Sequence, residues 1–143
     1  MDLAEIRRLV EQGEGTTLEF KKSTGELRSA MAALCGMLNA AGGGRVVFGV
    51  ADDGTVVGQD FAEKTLEDIA NESRKLEPKA EVNTTRLVLP SGRTVVVLEA
   101  RALEPGPFTF DGRPCLRVER TTQRMSRDEF DQRVADRLHG TKP

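Results

Sequence analysis

Apolar residues along this chain change their period several times, and each change marks an element. Leu3, Ile6, Leu9 and Val10 recur at helical spacing behind Asp2, a capping residue, and Gly13 and Gly15 end the run. Residues 17–21 then alternate as a short strand. Leu18 and Phe20 fall on one face, so Glu19 and Lys21 share the other. Ser23-Thr24-Gly25-Glu26 has the form of a capping box opening a second helix. Leu27, Ala30, Met31, Leu34, Cys35 and Leu38 are its apolar stripe. Asn39 and the Gly42-Gly43-Gly44 run stop it, because glycine turns left-handed at a helix end without steric cost.

Arg45 to Val50 is too apolar for a sheet edge and reads as a central strand. Asp52-Asp53-Gly54-Thr55 is a turn, with Val56-Val57 returning as a hairpin partner. A third helix is predicted over residues 61–75, with Leu66, Ile69 and Leu76 inward and Pro78 closing it. Residues 82–89 and 93–100 form a hairpin around Pro90-Ser91-Gly92, and residues 108–110 and 114–118 another around Asp111-Gly112-Arg113. Ser126 and Glu129 open a last helix with Phe130, Val134 and Leu138 inward. Helix, strand, helix and then mostly hairpins predict an α+β fold: one domain with a mixed sheet and about four flanking helices. No repeat or linker interrupts it.

Composition agrees with one folded domain: 143 residues, 38% hydrophobic and 31% charged. No apolar run approaches the roughly 18 residues of a membrane helix, and the opening Met-Asp-Leu-Ala-Glu lacks the layout of a signal peptide. The expectation is a cytoplasmic protein with no membrane partner. Two cysteines make no disulfide framework, and Cys35 and Cys115 read as small buried hydrophobes. One histidine, His139, near the C-terminus, argues against a His/Cys zinc site and against a Ser-His-Asp triad.

Charge is uneven. The net charge of −2 argues against nonspecific coating of nucleic acid. Residues 113–127, however, carry Arg113, Arg117, Arg120, Arg124 and Arg127 against Glu119 alone. Such clusters are usually solvated faces, yet with Lys21 and Arg45 this one is the best candidate for a phosphate-facing surface. With no Trp and no Tyr, base stacking falls to phenylalanine, and Phe108 and Phe110 are the loop-proximal pair. Backbone and shape recognition is favoured over base reading.

Glu14, Glu19 and Asp52 sit at strand edges with Lys21 close behind. Carboxylates converging at one sheet end suit Mg²⁺ or Mn²⁺, and Lys21 could balance phosphate charge. The competing reading is ordinary strand-end and turn acids, with Asp52 or Asp53 making only local turn hydrogen bonds. Gly42-Gly43-Gly44-Arg45 lacks the Lys-Ser/Thr ending of a phosphate loop and precedes a strand, so nucleotide binding by that device is disfavoured.

Three ordered blocks resemble the Schlafen AlbA-like domain family. Glu14-Gly-Thr-Thr-Leu-Glu19-Phe-Lys21-Lys-Ser23 looks like its Glu-x4-Glu-Phe-Lys-x-Ser opening. Leu38-Asn39-Ala-Ala-Gly42-Gly43 is similar to its Asn-x-x-Gly-Gly element, and Phe48-Gly49-Val50-Ala51-Asp52-Asp53-Gly54 with Val57-Gly58 to its Gly-Val-x-Asp-x-Gly block. Cys115-Leu116-Arg117-Val118 resembles its Tyr-x-Arg-x segment, with cysteine where tyrosine is frequent. The resemblance implies a Schlafen AlbA-like domain over residues 1–143 that binds nucleic acid. In the nuclease members two glutamates and an aspartate form a metal-dependent triad on RNA. By motif these are Glu14, Glu19 and Asp52, with Asp53 a substitute for Asp52. The implied function is a metal-dependent endoribonuclease acting on structured RNA such as tRNA. The alternative is a non-catalytic DNA-binding module of a bacterial transcriptional regulator. The nuclease members pair two such lobes around a cleft, so a single copy would work as a homodimer or with a flat site.

Overall fold

The structure, a computed structural model, describes residues 1–140. Its elements in order are α1 (Leu3–Gln12), β1 (Leu18–Lys21), a 3-10 turn (Thr24–Glu26), α2 (Leu27–Ala41), β2 (Gly43–Phe48), α3 (Glu63–Ser73), β3 (Leu76–Glu77), β4 (Ala80–Val88), β5 (Thr94–Ala102), β6 (Thr109–Phe110), β7 (Arg113–Val118), β8 (Thr121–Arg124) and α4 (Arg127–His139). They make one α+β domain with two four-stranded sheets, ordered β1-β2-β5-β4 and β3-β6-β7-β8. In the first sheet β1 runs parallel to β2, joined through α2, and the other pairs are antiparallel.

α2 is the centre of the molecule. It touches β1, β2 and β5 of one sheet and β6, β7 and β8 of the other. That placement explains why its burial is wider than one stripe: Ala33, Gly36 and Met37 are buried along with the expected residues. A helix apolar on nearly every side must be covered on nearly every side. Val46, Phe48, Val96 and Leu98 of the first sheet, and Phe108 and Phe110 from the second sheet's side, complete its core. On the opposite face of the first sheet, Ile6 of α1 packs on Leu18, Val47, Val95 and Val97. Burying each of the larger of these side chains contributes about 1.5–3 kcal/mol.

Several boundaries differ from the pattern-based reading. Asn39 does not stop α2, which continues to Ala41 and ends at Gly42 in the left-handed conformation. The Asn39 amide instead clamps the second sheet: Nδ2 donates to the Phe108 and Cys115 carbonyls at 2.9 and 2.7 Å, and Oδ1 accepts the Phe108 N–H at 2.7 Å. Ser23 caps a 3-10 turn rather than α2 itself, and Glu26 reaches the Lys22 N–H, not that of Ser23. Leu66 and Leu138, expected inward, are 38% and 77% exposed, because α3 and α4 each cover only a narrow strip of core. β3 and β8 were not legible as strands. β8 is all polar and exists by pairing with β7 across a turn in which Glu119 has positive φ.

Candidate functional site

Because β1 and β2 are parallel neighbours, their C-terminal ends lie side by side, with Lys21 in register with Phe48. The chain leaves β2 through Gly49 at φ +107°, and the N–H groups of Gly49 and Val50 both donate to the Lys21 carbonyl. The following hairpin folds back until Gly58 rests on Gly49; a Cβ on Gly49 would stand 2.8 Å from the Gly58 Cα. Val57 and Gly58 N–H groups both donate to the Gly49 carbonyl at 2.9 Å. The Gly-Val-x-Asp-x-Gly-x3-Gly pattern is therefore a close backbone crossing that sets Asp52 at the end of β1. Here a cleft of about 760 Å³ opens, lined by Glu14, Phe20, Lys21, Lys22, Glu26, Asp52, Asp53 and Arg120 among others.

The three expected carboxylates have three different situations. Glu14 lines the cleft, and its Oε2 accepts the Phe20 N–H at 2.9 Å, satisfying an amide on the open edge of β1. Asp52 lines it too, with its side chain 88% exposed and 3.3 Å from Lys22 Nζ. Glu19 faces α2 and is buried. Its Oε1 meets Arg117 at 2.5 Å and its Oε2 meets Lys21 Nζ at 3.1 Å. Lys21, which shares that face as period two requires, also donates to Ser29 Oγ at 2.9 Å. Asp53 accepts the Thr55 N–H, and hydrogen bonding from Thr55 holds its carboxyl below the ordinary range.

Among the described residues no three His, Cys, Asp or Glu side chains are gathered to hold a metal ion. Glu19 already has both oxygens on cations. The residues as arranged do not fit a three-carboxylate Mg²⁺ or Mn²⁺ centre.

The arginine cluster divides. Arg113, Arg120, Arg124 and Arg127 are exposed. Arg117 is not on the surface: its guanidinium is fully buried and donates to the Gly15 and Leu18 carbonyls, Thr122 Oγ1 and Glu19. Alternation along β7 turns it inward, where sequence could show only that it was charged. Arg45 also leaves the group. It shares the Val47 face of the first sheet, opposite the face of Lys21, and lies 3.9 Å from Glu99. Phe108 and Phe110 are 2% and 5% exposed and belong to the core, so neither is a stacking platform. Lys22 and Glu26 line the cleft without having been singled out for it; the Lys21-Lys22 doublet was the available signal, since period two sends adjacent strand-end residues different ways.

This fold has known relatives. Residues 14–126 match the Schlafen, AlbA_2 family, and the chain belongs to it. That is a family associated with nucleic-acid binding. Among solved structures, the DIP2311 protein of Corynebacterium diphtheriae is similar, at TM-score 0.58 and 16% identity over 94% of this chain. The match spans only 32% of that protein. The N-terminal domain of a protein from Nitrosomonas europaea, named for its relation to the ATP-dependent DNA helicase RecG, is similar at TM-score 0.58 and 19% identity, over 85% of this chain and 92% of that one. At these identities the likeness is one of fold. No curated protein matches the chain.

Proposed function

We propose that this chain is a nucleic-acid-binding module that grips phosphates with Arg113, Arg120, Arg124 and Arg127. One observation carries the reading. In a chain of net charge −2, these exposed guanidiniums come from a single hairpin and the first residue of α4, and Arg120 reaches the cleft that holds Lys21 and Lys22. Guanidinium forks suit phosphate oxygens, and contacts of this kind position a duplex or strand without reading its bases. Family membership supports the same class of function.

A second reading is endonucleolytic cleavage of structured RNA such as tRNA, dependent on Mg²⁺ or Mn²⁺. It is supported by Glu14 and Asp52 lining one cleft with Lys21, and it requires Glu19 to release Arg117. Fluorescence anisotropy with labelled RNA and DNA, titrated over salt, tests the first reading. Incubation with total tRNA and either metal, with and without EDTA, tests the second. Salt-dependent binding without cleavage supports the module; EDTA-sensitive cleavage establishes the nuclease; absence of binding to either polymer overturns both.

A further inference from the structure

Cys35 and Cys115 are both free thiols, brought together from positions 80 residues apart in the chain. Cys35 lies in the middle of α2, wholly buried, and Cys115 on β7 is only partly buried. The two elements are in backbone contact at this point: a Cβ on Gly36 would stand 2.9 Å from the Arg117 backbone nitrogen. Cys115 packs against the core cluster that contains Cys35, its own Sγ 4.0 Å from the Arg113 carbonyl. Asn39 fixes both sides of the pair. Its Nδ2 donates to the Cys115 carbonyl at 2.7 Å and stands 4.0 Å from Cys35 Sγ. Cys35 Sγ also approaches the Phe108 carbonyl at 3.4 Å. Arg124 sits in register with Cys115 on the neighbouring strand, and Arg113 lies two residues before it.

We infer that Cys35 and Cys115 form a hydroperoxide-reactive dithiol, with Cys115 the attacking sulfur and Cys35 the resolving one. The roles follow from placement. A thiolate is the nucleophile, and cations and donors favour it at the partly exposed position, whereas burial disfavours it in the core. Interaction with the Cys35 thiol, with Arg124 and Arg113 nearby, pulls Cys115 down to about 7; the same interaction and burial push Cys35 up.

The chemistry balances. The Cys115 thiolate takes one oxygen from a hydroperoxide, the O–O bond breaks, and the released oxyanion takes up a proton as water or alcohol. Cys35 sulfur then displaces the sulfenic hydroxyl. The S–O bond breaks, the S–S bond forms, and the Cys35 proton leaves in a second water. Two thiols lose two electrons and two protons to one hydroperoxide. The product would tie β7 covalently to α2, within the hairpin that carries Arg120 and Arg124. This inference does not rest on the nucleic-acid reading.

The test is oxidation of the full chain with hydrogen peroxide, followed by denaturing alkylation and mass spectrometry. Both thiols should disappear together, in a linked Cys35–Cys115 peptide that dithiothreitol reopens. In Cys35→Ser, dimedone should trap a sulfenic acid on Cys115; in Cys115→Ser, Cys35 should stay inert until the protein unfolds. Circular dichroism checks that each variant is folded. At pH 7 wild-type Cys115 should alkylate about threefold faster than an unperturbed cysteine, the gain in thiolate fraction being partly offset by lower nucleophilicity. Oxidation of Cys115 alone in wild type with Cys35 still alkylatable, a disulfide between two chains, or reaction no faster than an unperturbed cysteine would each overturn the assignment.

Discussion

The guanidinium of Arg117 is fully buried and lies 2.5 Å from a carboxylate oxygen of Glu19, 98 residues earlier in the chain. The pair bolts β7 of the second sheet to β1 at the edge of the first. Each of its residues belongs to a family motif, and each was expected to face substrate. In the fold they face each other. Removing Arg117 leaves Glu19 with Lys21 as its one cation and takes a donor from the Gly15 and Leu18 carbonyls. Breaking a buried pair from one side typically costs about 3–5 kcal/mol, whereas replacing both partners can be nearly neutral. Arg117→Met should therefore lower the unfolding free energy in urea by about 3 kcal/mol, and Arg117→Met with Glu19→Leu should recover much of that loss. A single variant as stable as wild type would refute the structural role. Glu19→Gln should be destabilised as well, so loss of any activity in it must be read beside its melting curve.

Phosphate contacts should appear in the salt dependence of binding. Arg120→Ala and Arg124→Ala are expected to weaken binding to all sequences alike, each flattening the slope of log K against log salt by about 0.7–0.9. Arg45→Ala, on the other sheet face, should leave the slope unchanged. Anisotropy titrations at several salt concentrations decide this, and equal slopes for Arg120→Ala, Arg124→Ala and wild type would move the interface elsewhere.

Gly36 offers a test of packing against propensity. Alanine in a helix interior is ordinarily better than glycine by about 1 kcal/mol. Here the added methyl would stand 2.9 and 3.0 Å from Arg117 and Leu116 backbone atoms, which cannot swing aside. Gly36→Ala should be destabilising by about 1–3 kcal/mol, the range for overpacking. A rise in melting temperature would show that α2 and β7 are looser than described.

Asn39→Ala removes three polar contacts at once, strands the Phe108 N–H and the Cys115 carbonyl, and leaves the Phe108 carbonyl with the Cys35 thiol as its partner. Each buried group left unpaired costs about 1–3 kcal/mol. The variant should lose at least about 2 kcal/mol in denaturant unfolding, with hydrogen exchange at Phe108 rising more than in the first sheet. Uniform exchange across both sheets would contradict a local clamp.

Arg28 ties α2 to the β6–β7 turn through Asp111 at 2.8 Å, and its hydrogen bond holds the Asp111 carboxyl below the ordinary range. A carboxyl depressed in the folded state stabilises above its unfolded pKa, and that contribution disappears as pH falls through the folded value. Arg28→Gln should therefore unfold at a higher pH on acid titration, within the region below about pH 4. Coincident acid midpoints by far-ultraviolet circular dichroism would remove Asp111 from the acid response.

Most element types were legible because they depend on local periodicity. Alternation at residues 17–21 put Glu19 and Lys21 on one face, where they pair at 3.1 Å. The apolar density of α2 and the run ending at Val50 marked the two central elements, and Asp111-Gly112 and Pro90-Ser91-Gly92 marked the hairpins. The motif blocks put Glu14, Glu19 and Asp52 at one sheet end; Glu14 and Asp52 do line the cleft there with Lys21, while Glu19 turns to Arg117. What a charged residue meets is a different kind of fact. Arg117 and Arg120 look alike in sequence, yet one closes the gap between two sheets and the other lines a cleft. The same holds for Asn39, which reads as a helix stop and acts as a clamp, and for Cys35 and Cys115, which meet only because α2 is covered by a second sheet. Sequence determined the periods, and so the elements and their faces. Partners across long separations were decided by how those faces stack, because a buried charge or amide takes whichever complementary group the packing brings within about 3 Å.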